Sequence, residues 1–177
     1  MRGAEIARLL LRGAIGGTMI AHGVKHGRSI EGTAGWFGSI GFREPKLQAR
    51  ASAAVEIGSG AALLVGGGTP LAAAAVVGTM GVAARSVHIP NGFFITKEGW
   101  EYVANLAAAS VALGALGAGR YSVDHVVGAP QPKGAKGAAI VAGVGLAAAA
   151  AQLATFWRAP QPAPAPVVEE TAAAATG

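Results

Sequence analysis

The chain has 177 residues, of which 52% are hydrophobic and 13% are charged, and its formal net charge is +5. Its mean hydropathy of +0.46 is too high for an ordinary soluble domain, so the composition indicates a membrane protein. The sequence contains no cysteine, which excludes disulfides, thiol nucleophiles and iron–sulfur clusters held by this chain's own thiolates. Basic residues are spread over loops with few aromatic residues among them, so we expect no nucleic-acid partner.

Five stretches predict helices that cross a bilayer, which takes about 20 mostly apolar residues. They cover about residues 6–24, 47–66, 69–87, 100–118 and 137–157. Arg8 and Arg12 interrupt the first stretch, so we expect a retained helix there rather than a cleaved signal. Abundant alanine and glycine predict close helix contacts, because small side chains let backbones approach. The predicted fold is all-α: an integral membrane four-helix bundle with an additional C-terminal transmembrane helix.

Two other stretches are not expected to span. The segment "GTAGWFGSIGF" (32–42) is short and glycine-rich, and we expect a loop or an interfacial helix there. The end of the chain is rich in proline and alanine, which predicts a disordered tail. The predicted organisation is a four-helix core (1–128), a linker (129–136), an extra helix (137–158) and the tail (159–177).

Polar residues inside the spans follow helical periodicity. One stripe each is formed by Arg8, Arg12 and His22, by Gln48, Ser52, Glu56 and Ser59, and by Glu98, Glu101 and Asn105. A charge near a helix centre costs roughly 2.5–3.5 kcal/mol. We therefore expect Arg12 and Glu56 to face the interior, with Arg12 paired to Glu56 or Glu101.

Alternating helix directions bring the end of span 1, the start of span 2, the end of span 3 and the start of span 4 to one end of the bundle. That end collects His22, Lys25, His26, Arg28, Arg43, Lys46, Arg50, Arg85, His88, Lys97, Glu98 and Glu101, with Glu56 reaching deeper. The candidate binding cluster is Arg12, His22, Lys25, Glu56, Arg85, His88, Glu98, Glu101 and Asn105.

Structural interpretations of these residues stay open. Lys25 can snorkel to the membrane surface, and Glu98 and Glu101 can complement the positive end of a helix. His22 and His88 lie at similar depth on parallel helices, as a bis-histidine haem requires. Histidines near a membrane surface more often make structural hydrogen bonds, so a haem is not expected. No spacing of potential ligand residues predicts a metal site.

An ordered set of motifs resembles the DoxX family. The set is Arg12, Gly16, His22, Gly23 and Lys25, then Glu56, Gly58 and Gly60, then Arg85 through His88, "GFF" (92–94), "EGWEY" (98–102) and "GAGRYSVD" (117–124). The resemblance implies a four-helix protein of the bacterial inner membrane, related to small subunits of thiosulfate:quinone oxidoreductases. It also implies a sulfurtransferase and a superoxide dismutase as soluble partners. The fifth helix and the tail lie outside this core, and we expect them to serve a partner in a larger membrane complex.

The motif "GRYSVD" lies at the opposite end from the cluster. Gly119 would end the fourth span, and Asp124 would cap a helix or pair with Arg120, beside Tyr121. We therefore interpret this motif as structural.

The leading hypothesis is a membrane subunit of a redox or oxidative-stress-defence complex, with a quinone or a small sulfur species in a cavity formed by the first four spans. His22 with Glu56 or Glu101 would supply the hydrogen-bond donor and the proton-exchanging group. The sequence requires no cofactor, although a quinone fits this cluster. Without cysteine, flavin motif or metal site, a soluble partner would bring the redox chemistry. A non-catalytic scaffold and a small-solute or proton transporter are the alternatives.

Overall fold

The computed structural model describes residues 2–160, which form an all-helical bundle with no β-strand in that range. Its α-helices are α1 (Arg2–Arg28), α2 (Ile30–Ser39), α3 (Pro45–Val65), α4 (Thr69–Ala83), α5 (Glu101–Leu116), α6 (Val123–Val126) and α7 (Gly134–Phe156). A π-helical turn (Ala84–His88) and a 3₁₀ turn (Ile89–Asn91) extend α4, and a further 3₁₀ turn (Ile95–Lys97) precedes α5. Most of the predicted tail, residues 161–177, lies outside the described residues.

Helices occupy all five stretches that were predicted to span. Two segments, Thr69–Asn91 and Gly134–Phe156, are long and apolar enough to cross a membrane. By contrast, α1 and α3 have 27 and 21 residues but contain charged side chains, and α5 has 16 residues. The fold is therefore helical with membrane-like segments, and the count of five crossings stays a prediction. The short stretch at 32–42 lies mostly in α2, so the helical alternative for it is confirmed.

Proline and glycine set the ends of the long helices. Pro45 occupies the first turn of α3, where its missing N–H costs no hydrogen bond. Gly66 ends α3 in a left-handed conformation with φ of 68°. Gly117, with φ of 73°, follows the last residue of α5, so the prediction that Gly119 ends this helix is wrong by two residues.

Glycines bring α1 and α3 into close contact. A Cβ atom on Gly60 would lie 2.6 Å from the carbonyl oxygen of Gly16, and one on Gly16 would lie 2.7 Å from that of Gly60. Gly23 lies about one helical turn before His26 in α1. A Cβ on Gly23 would lie 2.9 Å from the Cβ of Glu56. The predicted close approach through small residues is thus confirmed for this helix pair, and it presses the end of α1 against Glu56.

The fifth long helix, α7, packs into the bundle rather than standing apart from it. A Cβ on Gly145 would lie 2.6 Å from the carbonyl oxygen of Ala74 in α4, and one on Gly114 of α5 would lie 2.6 Å from Val141 Cγ2. Fully buried side chains of the core come from five helices, and they include Ile15, Met19, Leu63, Val76, Leu113 and, from α7, Val141. The outer surface of α7 stays exposed at Val144 and Leu146.

The end of α7 is tied to the loop between α2 and α3. Phe42 and Trp157 form an isolated antiparallel bridge. Around it, the Arg43 N–H donates to the Phe156 carbonyl (2.8 Å) and the Arg158 N–H donates to the Gly41 carbonyl (3.0 Å). The indole N–H of Trp157 also donates to the Ile40 carbonyl (2.8 Å). This contact fixes the end of α7 beside α2 and the start of α3.

Candidate functional site

Buried charged groups lie at two opposite ends of the bundle. Arg12 is 3% exposed, and its guanidinium donates to the carbonyl oxygens of Leu63 (2.8 Å), Leu64 (2.7 Å), Ala118 (3.1 Å) and Tyr121 (2.7 Å). These carbonyls belong to the last turn of α3 and to the turn after α5, where helical carbonyls lack helical partners. The predicted burial of Arg12 is confirmed, but its predicted pairing with Glu56 or Glu101 is wrong.

Asp124 completes this end of the molecule. Its carboxylate is buried and accepts hydrogen bonds from the N–H groups of Gly68 (2.6 Å) and Thr69 (2.9 Å), at the start of α4. Asp124 therefore caps α4 and does not pair with Arg120. Arg120 lies 5.1 Å from the ring centre of Tyr121 instead. We call Arg12, Asp124 and the backbone groups that they bind the clasp.

The second buried carboxylate, Glu56, lies at the other end and borders a cavity of about 140 Å³. The walls come from α2, the α2–α3 loop, α3, the end of α4 with its π-helical turn, and α7, while α1 contributes His26. None of the lining residues comes from α5. The prediction of a cavity formed by the first four spans is therefore wrong in two respects. The fourth span, α5, contributes no lining residue, and the fifth, α7, contributes Gln152. We call this space the Glu56 cavity.

Glu56 is 3% exposed, and its two carboxylate oxygens have different surroundings. Oε1 accepts a short hydrogen bond from the Ser52 hydroxyl and lies 3.1 Å from Nδ1 of His26. Oε2 has no hydrogen-bond partner among the described residues. A buried carboxylate oxygen without a partner is costly, so Oε2 is the atom at which a ligand would gain most.

His26 and α2 cover this carboxylate. The imidazole of His26 lies 6.3 Å from the ring of Trp36 and 6.0 Å from that of Phe37, and Phe37 packs on Phe42 at 5.4 Å between ring centres. Trp36, Phe37 and Phe42 also line the Glu56 cavity. The cavity therefore combines an aromatic wall with one buried acidic group, which is the usual composition of a site for a small aromatic or ring-shaped molecule.

A pair of amides forms a second polar group on the cavity wall. Nε2 of Gln152 in α7 donates to Oε1 of Gln48 in α3 at 3.0 Å. Gln48 is 5% exposed and Gln152 is exposed, and both line the cavity. Gln48, Ser52 and Glu56 are spaced four residues apart, so they form a polar row along one side of α3.

Of the other residues in the predicted cluster, His88 alone lines the Glu56 cavity, and its Nδ1 lies 2.5 Å from the Glu98 carbonyl oxygen. His22 stacks on Tyr102 with 6.0 Å between ring centres and does not line the Glu56 cavity. The carboxylate of Glu101 accepts from the Ile95 N–H (3.1 Å).

The remaining members lie away from the carboxylate. Arg85 lies over the Trp157 ring at 4.6 Å, while Lys25, Glu98 and Asn105 are exposed. Among the described residues, no group of three or more histidine and acidic side chains is arranged to hold a metal ion.

Sequence reasoning placed His26 at this end of the bundle but left it out of the candidate binding cluster. His22 and His26 are one turn apart and lie within about 40° of each other around α1, so periodicity does not separate them. The distinguishing signal is Gly23, which allows the last turns of α1 to lie against Glu56. That close approach brings the next turn, with His26, over the carboxylate.

Comparisons with known proteins agree with the family resemblance of the sequence. No curated protein and no solved structure matches the chain. The DoxX family model matches residues 7–89, which run from α1 to the end of the π-helical turn and contain Arg12, His26 and Glu56. The motifs at 98–102 and 117–124 and the whole of α7 lie outside the match. Residues 7–89 are therefore a DoxX domain, and this match together with the apolar helices indicates a membrane protein.

Proposed function

We propose that this chain is a multi-pass subunit of a redox assembly in the bacterial inner membrane, and that the Glu56 cavity binds the head group of a quinone. The observation that carries the proposal is the buried carboxylate of Glu56, a residue that lines the cavity and whose Oε2 lacks a partner among the described residues. A carboxyl oxygen donates to a quinone carbonyl when protonated and accepts from a quinol hydroxyl when ionised. It therefore serves both redox forms of the ligand.

Size and charge favour a quinone ring over a small sulfur anion. The cavity of about 140 Å³ is smaller than pockets for drug-sized ligands, which are roughly 300–1,000 Å³, so it suits a single ring. Its lining includes the Glu56 carboxylate but neither lysine nor arginine. An anion would meet a like charge there without a lysine or arginine to offset it, whereas a neutral ring would pack against Trp36 and Phe37.

His26 and Ser52 give Glu56 a means of exchanging protons. Reduction of a quinone to a quinol consumes two electrons and two protons. Oε1 of Glu56 contacts both the Ser52 hydroxyl and Nδ1 of His26, and the partly exposed His26 connects the carboxyl group to the end of the bundle. In this proposal the chain supplies the hydrogen bonds and protons, and a soluble redox partner supplies the electrons. A sulfurtransferase and a superoxide dismutase are the partners that the family resemblance suggests.

The binding test uses the full chain in mild detergent and a short-chain benzoquinone. Trp36 lines the cavity, so we expect saturable quenching of tryptophan fluorescence, with the saturable part lost in Trp36→Phe. Glu56→Met keeps the side-chain length but removes both oxygens, and we expect it to weaken binding about tenfold or more, as for loss of a hydrogen bond to a charged group. The matched control is Glu31→Met, because Glu31 is exposed and pairs with exposed Lys46.

Two outcomes would contradict the proposal. One is quenching of the wild-type protein that does not saturate. The other is equal binding by wild type and Glu56→Met, which would leave Glu56 with a purely structural role and favour the scaffold hypothesis.

A further inference from the structure

We infer that Gln48 is a second ligand-binding residue of the Glu56 cavity and that Gln152 of α7 positions it. The inference rests on the proposed function. It specifies that the ligand is a neutral molecule with hydrogen-bonding oxygens at two separate places. It also gives α7, which lies outside the DoxX domain, a part in binding.

The direction of the amide contact decides what Gln48 offers to a ligand. Gln152 donates through Nε2 to Oε1 of Gln48, so the contact directs Oε1 of Gln48 toward α7 and uses one of its two lone pairs. The amide protons on Nε2 of Gln48 are not used by this contact. Because Gln48 is 5% exposed and lines the cavity, the cavity is where these donors can find an acceptor. Gln48 therefore presents a donor, which suits a carbonyl oxygen.

The position of Gln152 is itself fixed by packing on both sides. Gly145 and Ala149 lie on the same stripe of α7 as Gln152 and are buried, and a Cβ on Gly81 of α4 would lie 3.0 Å from the Cβ of Ala149. Beyond Gln152, the bridge between Phe42 and Trp157 holds the end of the helix. The backbone at Gln152 is thus held beside Gln48 by contacts that do not involve the ligand.

Gln48 and Glu56 are eight residues apart on α3, which corresponds to about 12 Å along the helix axis. Ser52 lies between them with its hydroxyl bonded to Glu56. The wall therefore has a polar group at each end, and a benzoquinone, which has carbonyl oxygens on opposite sides of its ring, has the chemistry to use both. A ligand with one polar atom would gain from Glu56 alone.

The test exploits the asymmetry of the amide contact. In Gln152→Glu, the introduced carboxylate is an acceptor, so Gln48 turns its amide to donate to it and directs Oε1 into the cavity. An acceptor facing the cavity suits a quinol hydroxyl and not a quinone carbonyl. We expect the quinone-to-quinol affinity ratio to fall about tenfold relative to wild type. The ratio is measured by tryptophan quenching for the quinone and by displacement for the quinol.

Two controls separate positioning from general effects. Thr155→Glu adds the same charge one turn away on the exposed side of α7 and should leave the ratio unchanged. Gln48→Met removes the proposed donor itself and should weaken quinone binding, with no further change when Gln152→Glu is added. Melting temperatures in detergent verify that each variant is folded.

Failure of this inference is distinguishable from failure of the proposed function. If Gln152→Glu leaves the ratio within twofold of wild type while Glu56→Met still loses binding, α7 has no positioning role and the Glu56 site stands. If the wild-type protein binds no benzoquinone saturably, the proposed function is wrong and this inference is wrong with it.

Discussion

The clasp and the Glu56 cavity show two different ways of burying a charge in one small bundle. In the clasp, Arg12 and Asp124 bind backbone groups at helix ends that would otherwise lack partners. In the cavity, Oε1 of Glu56 is bonded but Oε2 is not. The only other buried side-chain atom without a partner among the described residues is Oγ1 of Thr69, and Thr69 does not line the Glu56 cavity. The comparison teaches that a buried charged group with all its hydrogen bonds made stabilises the fold. A buried group that borders a cavity and keeps an unpartnered atom is instead a candidate for ligand binding.

The largest effect is expected from breaking the clasp. Arg12→Met keeps much of the apolar stem but leaves four carbonyl oxygens without their donor. Since an unsatisfied buried acceptor costs about 1–3 kcal/mol, we expect a loss of at least 3 kcal/mol, measured as a lower melting temperature in detergent. The control is Arg50→Met at an exposed position, expected to change stability by less than about 0.5 kcal/mol. If both substitutions lower the melting temperature equally, the hydrogen bonds of the clasp contribute no more to stability than an exposed arginine does.

A smaller effect is expected where α1 and α3 meet, because this contact joins the clasp to the cavity. Gly60→Ala would place a Cβ 2.6 Å from the Gly16 carbonyl oxygen, which forces the helices apart at about 1–3 kcal/mol. It should also weaken quinone binding, since α1 carries His26. Gly58→Ala, with no atom near its Cβ, should be neutral or stabilise the protein by up to about 1 kcal/mol. Equal melting temperatures for the two variants would contradict this account.

Removing the cap of α4 should cost less than removing Arg12. Asp124→Ala eliminates both acceptors for the Gly68 and Thr69 N–H groups, and loss of a helix cap costs about 0.5–2 kcal/mol. Asp124→Asn keeps one side-chain oxygen and should recover part of this loss. Thermal melting of both variants measures the difference, and quinone binding should remain unchanged. A loss of binding would show that the two ends are not independent.

The smallest change in stability is expected at the cavity. Glu56→Met removes a buried carboxyl group with one unpartnered oxygen, although Ser52 and His26 lose an acceptor. We expect these effects to offset each other to within about 1 kcal/mol. This variant should therefore lose quinone binding while melting near the wild-type temperature. Destabilisation as large as that of Arg12→Met would place Glu56 in the same class as the clasp.

Sequence periodicity predicted the positions of the long helices and the burial of Glu56, because both follow from local spacing of apolar and polar residues. It did not predict the partners of Arg12, since backbone carbonyls at helix ends carry no side-chain signature. It also did not distinguish His26 from His22, which share one side of α1. The contribution of α7 depends on the pairing of Gln48 with Gln152, 104 residues apart, and no local pattern indicates such a contact.

That separation also bears on when the site comes into existence. Chains are synthesised from the N-terminus, and early segments begin to fold before later ones emerge. The DoxX domain and α5 are synthesised before α7, so Gln48 has no Gln152 to bind until α7 has been made. A nascent chain that stalls before residue 152 would contain Glu56 and His26 but an unfinished cavity wall. The arrival of α7 would therefore complete the wall of the proposed ligand site.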